Sequence, residues 1–126
     1  MKVKLNDIIN ADESIQYLRG IDLPAKLSYK VSKLILALAQ EYDIIQQERR
    51  KIIEKYGARD ENGELVSLRV NQYSIAMEYI EEANTELNDL MNTEVELNIA
   101  PLTLDELEPY KITPKYMLGL MPFIEE

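Results

Sequence analysis

The chain has 126 residues, a net charge of −9 at neutral pH, and neither cysteine nor histidine. That composition rules out Ser-His-Asp and Cys-His nucleophile systems, histidine-ligated metals and disulfides, and it leaves general acid–base catalysis without its commonest group. The acid is unevenly placed: residues 1–63 carry 11 Lys or Arg against 10 Asp or Glu, and residues 64–126 carry 3 against 13, an excess that opposes phosphate binding and attracts basic protein surfaces.

The length fits one domain over residues 1–126. No apolar run approaches the roughly 18 residues needed to cross a bilayer, and the opening MKVKLNDIINADE has acidic residues where a signal peptide would be apolar. A soluble protein of the cytoplasm, without membrane contact, is expected.

Met1 to Leu5 alternates Val3 and Leu5 with Lys2 and Lys4, the pattern of a short half-buried strand. From Asn6, as N-cap, Ile8, Ile9, Ile15 and Leu18 predict a helix that Gly20 stops. Leu23 to Gly57 then reads as one long amphipathic helix. Pro24 suits its first turn, and Leu27, Val31, Leu34, Leu38, Tyr42, Ile45, Ile52 and Tyr56 form its apolar face. Ile35, Leu36, Ala39, Ile44 and Ile53 widen that stripe, so more than one neighbour is expected. Arg49, Arg50, Lys51 and Lys55 suit the negative end of the helix dipole, and Gly57 is expected to close the helix in the left-handed conformation.

Asn62-Gly63 marks a tight turn, and Leu65 to Val70 is either a brief strand or a cover for the hairpin end. Asn71 is placed as the N-cap of a second long helix reaching about Asn92, with Tyr73, Met77, Ile80, Leu87 and Leu90 on its inner face and antiparallel to the first. Val95, Leu97 and Ile99 alternate with polar residues as a strand, for which Met1 to Leu5 or Leu65 to Leu68 is the available partner. Thr103 and Glu106 have capping-box spacing before a short helical turn ending near Pro109. Thr113-Pro114 opens a last helix, and the apolar tail through Phe123 and Ile124 is expected to be docked.

Several constellations invite a functional reading. Glu78, Glu81, Glu82 and Glu86 with Glu41 and Glu48 would offer oxygen ligands to a metal, but a solvated helix face is the commoner meaning of such runs. Asp60 to Glu64 starts like a calcium loop and then fails, with Leu65 at the sixth position and Asn71 at the twelfth. The four glycines are too scattered to cradle a phosphate. The clusters Lys26, Lys30, Lys33 and Arg49, Arg50, Lys51, Lys55 are better explained by the helix dipole and by counter-charge from the acidic half than by nucleic acid. If residue 56 lies opposite 71, residues 49, 45 and 41 fall near 78, 82 and 86, so that Arg49 meets Glu78. Glu41, Asp43, Glu48, Glu81, Glu82, Glu86 and Asp89 then form a belt of carboxylates, the candidate surface for a basic protein partner.

The segments LNDIINA, LPAKLSYKVSKL, ERRKIIEKYGARDENGEL and NTEVELNI together resemble a family of small, uncharacterised proteins encoded by phages and prophages of Gram-positive bacteria. The resemblance covers most of the chain and departs from the family pattern at Ala58-Arg59, where two charged residues would stand. It implies a viral setting in a bacterial host cell and a non-enzymatic role, and it transfers no catalytic residue.

The expected fold is mainly α with minor β: a long antiparallel helical hairpin with a short strand element and short C-terminal helices. The expected function is that of a non-enzymatic phage-type protein-binding or assembly factor with no cofactor and no bound metal, whose partner is a phage or host protein, with self-association also open to it. The alternative is an acidic inhibitor that imitates nucleic acid toward a host defence nuclease. A carboxylate-metal enzyme is the third reading.

Overall fold

A computed structural model of the protein describes residues 1–69 and 72–125. In chain order they form β1 (Lys2–Lys4), α1 (Leu5–Asn10), α2 (Asp12–Arg19), α3 (Ala25–Tyr56), β2 (Ser67–Arg69), β3 (Gln72–Tyr73), α4 (Ile80–Met91), β4 (Glu94–Glu96), β5 (Leu102–Thr103), α5 (Leu104–Leu107), α6 (Pro114–Leu120) and β6 (Ile124–Glu125). Single 3-10 turns lie at Met77–Tyr79 and Met121–Phe123. The fold is mainly α with minor β, as the patterning predicts. No helix among the described residues is long and apolar enough to cross a membrane. The chain groups into two compact units, a terminal one of Met1–Tyr42 with Thr93–Glu126 and a middle one of Asp43–Asn92, and α3 contributes to both. Length alone gives no sign of this grouping.

In the terminal unit, β1 is the partner that the strand after α4 requires. Lys2 stands opposite Glu96, Val3 opposite Val95 and Lys4 opposite Glu94, so each cross-strand pair matches opposite charges or two apolar side chains. The Met1 ammonium donates to Glu96 at 2.8 Å and holds that carboxyl below its usual range. The single helix predicted from Asn6 is two, α1 and α2, joined at the fully buried Ala11. Asn6 is not its cap: helix α1 starts at Leu5, and Asp7 reaches back to accept the Lys4 N–H at 3.0 Å.

Helix α2 packs closely on α6. The Tyr17 and Tyr116 rings stack with centroids 4.4 Å apart, and the buried Ser14 hydroxyl donates to the Tyr116 carbonyl at 2.7 Å. A Cβ on Gly119 would collide with the Ser14 hydroxyl and lie 3.1 Å from the Asn10 carbonyl, so the close approach depends on glycine.

Pro24 lies just outside α3 and accepts its first hydrogen bond, from the Ser28 N–H at 2.8 Å. Leu27, Val31, Leu34, Leu38, Ile45 and Ile52 are buried on the predicted face, whereas Tyr42 is exposed. The wider stripe is a different matter: Leu36, Ala39 and Ile44 are exposed rather than turned to a second neighbour.

The C-terminal segments follow their local signals. Thr103 accepts the Glu106 N–H at 3.2 Å and Glu106 accepts the Thr103 N–H at 3.0 Å, the predicted capping box. The same Glu106 oxygen takes the Lys30 ammonium at 2.7 Å, tying α5 to α3. Strand β6 pairs in parallel with β5, and Leu120 and Phe123 are fully buried, so the tail is docked as expected.

In the middle unit, Gly57 does not take the left-handed conformation; among the described residues, only Gly63 is a glycine with positive φ, at 77°. The α3 end is closed differently. Gly57 N–H donates to Ile53 at 2.6 Å, the Arg59 guanidinium to the Glu54 carbonyl at 3.1 Å and Ala76 N–H to Tyr56 at 2.9 Å, satisfying carbonyls that the helix leaves unpaired. Glycine is needed at 57 for space, because a Cβ would stand 2.5 Å from the Ile53 carbonyl oxygen and 2.6 Å from the Leu65 side chain. Three chain segments then meet in a ring of backbone bonds, Ala58 N–H to Ser74, Ser74 N–H to Val66 and Val66 N–H to Ala58. Beyond that ring, β2 pairs antiparallel with β3, the strand alternative for the segment after Gly63.

Gly119→Ala is expected to lower stability by about 2 kcal/mol from steric crowding, more than its gain of about 1 kcal/mol in helix propensity, as read from urea denaturation. The Lys30 ammonium, and after it Thr103, holds the Glu106 carboxyl below its usual range. A carboxyl depressed in the folded state stabilises the fold above the ordinary carboxylate range, and that stability is lost as pH falls through the lowered value. The urea midpoint is therefore expected to drop on acidification below about pH 4.3, and Glu106→Gln to be less stable at neutral pH with a shallower acid loss.

Candidate functional site

The middle unit decides which acidic and apolar side chains meet solvent. Its second helix was expected to start at Asn71, which lies outside the described residues. Residues 72–76 are not helical: Ser74 and Ala76 are drawn into backbone bonds with residues 56–66, and a chain held extended there cannot also make helical bonds. Helix α4 therefore begins only at Ile80, with Glu81 and Glu82 in its first turn, where the positive end of the helix dipole favours carboxylates.

This shift divides the predicted inner face. Ala83 is buried and Leu87 and Leu90 are half-buried, but Met77 is 88% exposed and Ile80 is 46% exposed. Gly57 pairs with Ile75, and Lys55 donates to Glu86 at 3.1 Å, so the register that put residue 41 near 86 does not hold. Among the described residues, Arg49 does not reach Glu78 in an ion pair, and the ion pairs of this unit include Arg50 with Glu54, Lys51 with Glu48 and Lys55 with Glu86.

The candidate belt is correspondingly divided. Glu41 belongs to the terminal unit, while Asp43, Glu48, Glu81, Glu82, Glu86 and Asp89 belong to the middle one. Two of these have lysine partners, Glu48 with Lys51 at 2.9 Å and Glu86 with Lys55 at 3.1 Å, so the belt is not uniformly unneutralised. The Lys55 ammonium is held above its usual range first by Tyr56, whose ring centroid lies 4.9 Å away, and then by Glu86. The second Glu86 oxygen is buried with no hydrogen-bond partner. Among the described residues, no group of three or more acidic side chains is placed to hold a metal ion.

What emerges instead is a continuous segment of mixed character. Met77, Glu78, Tyr79, Ile80, Glu81 and Glu82 are consecutive and all exposed. Tyr79 is anchored by its ring against Tyr56, with centroids 5.6 Å apart, which fixes the segment on the end of α3. Exposed apolar side chains interleaved with carboxylates suit contact with another macromolecule better than a solvated helix face does. Helical periodicity hid this segment by assigning Met77 and Ile80 to the core. The available signal was Tyr73-Ser74-Ile75-Ala76, which alternates at period two as an extended chain does.

No protein-family model, curated protein or solved structure matches this chain.

Because Met77 and Ile80 face solvent, Met77→Glu and Ile80→Glu are expected to change unfolding free energy by no more than about 0.5 kcal/mol each. Ala83→Glu buries a charge on the inner face of α4 and is expected to cost about 3 kcal/mol or more. Chemical denaturation of the three variants distinguishes this placement from a helix beginning at residue 71.

Proposed function

We propose that this protein is a non-enzymatic phage-type protein-binding or assembly factor, and that the segment from Met77 to Glu82 is its contact surface. The observation that carries this reading is Met77, a large apolar side chain 88% exposed between the extended chain before it and the acidic first turn of α4. Burying such a side chain on binding contributes roughly 1.5–3 kcal/mol, while Glu78, Glu81 and Glu82 select a partner whose apolar cleft is bordered by Lys or Arg. The absence of histidine and cysteine supports the non-enzymatic part of the reading.

The nucleic-acid mimic is less well supported. Imitating a phosphate backbone calls for regularly spaced, unneutralised carboxylates, whereas Glu48 and Glu86 carry lysine partners and the exposed segment interleaves its carboxylates with the apolar Met77 and Ile80.

The test is affinity capture with the tagged protein from infected and uninfected host lysates at two salt concentrations. Partner proteins recovered by the wild type are expected to be lost with Met77→Glu, and weakened by high salt and by Glu81→Gln with Glu82→Gln. Recovery that is indifferent to Met77 and abolished by salt, with competition by DNA, would replace this reading with the acidic inhibitor.

A further inference from the structure

Within the terminal unit, α3 carries an exposed row that the fold itself does not use. Lys26, Tyr29, Lys33, Leu36 and Gln40 are all exposed, and at 3.6 residues per turn they project within an arc of about 80°. Tyr29 and Leu36 are each 66% exposed, and the Lys33 ammonium lies 5.3 Å from the Tyr29 ring centroid. Residues 25–40 hold three lysines and no acidic residue. Lys30, at the side of the row, is paired with Glu106, whereas no ion pair among the described residues includes Lys26 or Lys33. Lys26 also stands in the first turn of α3, where the helix dipole favours carboxylates over cations, so the helix gains nothing from it.

The exposed segment from Met77 to Glu82 is the complement of this row. It sets Met77 and Ile80 among Glu78, Glu81 and Glu82, none of which joins an ion pair among the described residues. The sequence has no Lys or Arg from residue 70 to residue 110 to offset them. Each surface supplies what the other lacks, two apolar side chains to be covered and charge of opposite sign to border them. We infer that Lys26, Tyr29, Lys33 and Leu36 receive the Met77 to Glu82 segment of a second copy of this chain. The inference rests on the proposed reading of that segment as a contact surface and names one occupant for it. Because the two surfaces differ, the contact is heterologous, so successive copies either close a ring or extend a chain. Self-association then occupies Met77, and another partner protein competes with it.

Sedimentation velocity across a dilution series is expected to show the average mass of the wild type rising with concentration. Lys33→Glu with Leu36→Glu removes the receiving row, and Met77→Glu with Ile80→Glu removes the donated segment. Each variant alone is expected to associate more weakly by about tenfold or more, with an unchanged circular dichroism spectrum because all four sites are exposed. Mixed one to one, the two variants are expected to form a dimer and nothing larger, since one keeps the segment and the other keeps the row. A wild type that stays monomeric, or variants that fail to complement each other, would overturn the inference. Binding of phosphatidylserine vesicles by a monomeric wild type, lost with Lys33→Glu and Leu36→Glu, would assign the row to a lipid surface instead. The row variant keeps Met77, so its capture of partner proteins from lysate tests the Met77 reading separately: capture retained beside a monomeric wild type overturns the self-contact alone.

Discussion

The constraint on which the structure rests is the one-sided burial of α3. Leu27, Val31, Leu34, Leu38, Ile45 and Ile52 follow one another at steps of three, four or seven residues and are all buried, while the opposite side of the same helix is open to water along its length. A helix of 32 residues needs cover that it cannot supply itself, since helices in folded proteins are held mainly by tertiary packing of their apolar face. The remaining elements supply that cover, and apart from α4 they are strands of two or three residues and helices of one or two turns, which are stable only when docked.

The two units meet this demand unequally. The terminal unit fills its interior with large side chains such as Leu18, Leu102, Leu120 and Phe123, and closes its polar groups with the Thr103 capping box and the Lys30–Glu106 pair. In the middle unit, the buried apolar side chains among the described residues are Ile45, Ile52 and Ala83. There, backbone hydrogen bonding takes over part of the task, through the ring joining Ala58, Val66 and Ser74 and the Arg59 bond to the end of α3. A unit that buries little apolar surface leaves more of it outside. Met77, Tyr79 and Ile80 are where that surplus appears, and this is why the proposed contact surface is placed there.

Charge plays two different parts. Much of it is structural: Glu96 opposite Lys2 in the strand pair, Glu106 under Lys30, Glu86 on Lys55, and Glu81 and Glu82 at the start of α4. The net excess of acid does not therefore translate into a uniform acidic surface, because Glu86 and Glu106 in the second half of the chain pair with Lys55 and Lys30 of α3. In the proposed reading, the carboxylates left beside Met77 give direction to an apolar contact.

Local patterns in the amino-acid sequence were sufficient for α3 and its buried face, the capping box at Thr103, the proline start of α6, the Asn62-Gly63 turn and the alternation of the strand at Val95. Each of these is decided by near neighbours, through helical periodicity, a side chain reaching its own backbone, or a glycine accepting positive φ. Tertiary structure decided the rest. Gly57 is required by the approach of Leu65 and the Ile53 carbonyl rather than by its own dihedral angle, Gly119 by the approach of Ser14, and the late start of α4 by hydrogen bonds from residues far back in the chain. The placement of Met77 and Ile80 follows from that last point: whether an apolar residue is core or contact surface depends on which backbone groups are already engaged elsewhere, and no periodicity within the segment records it.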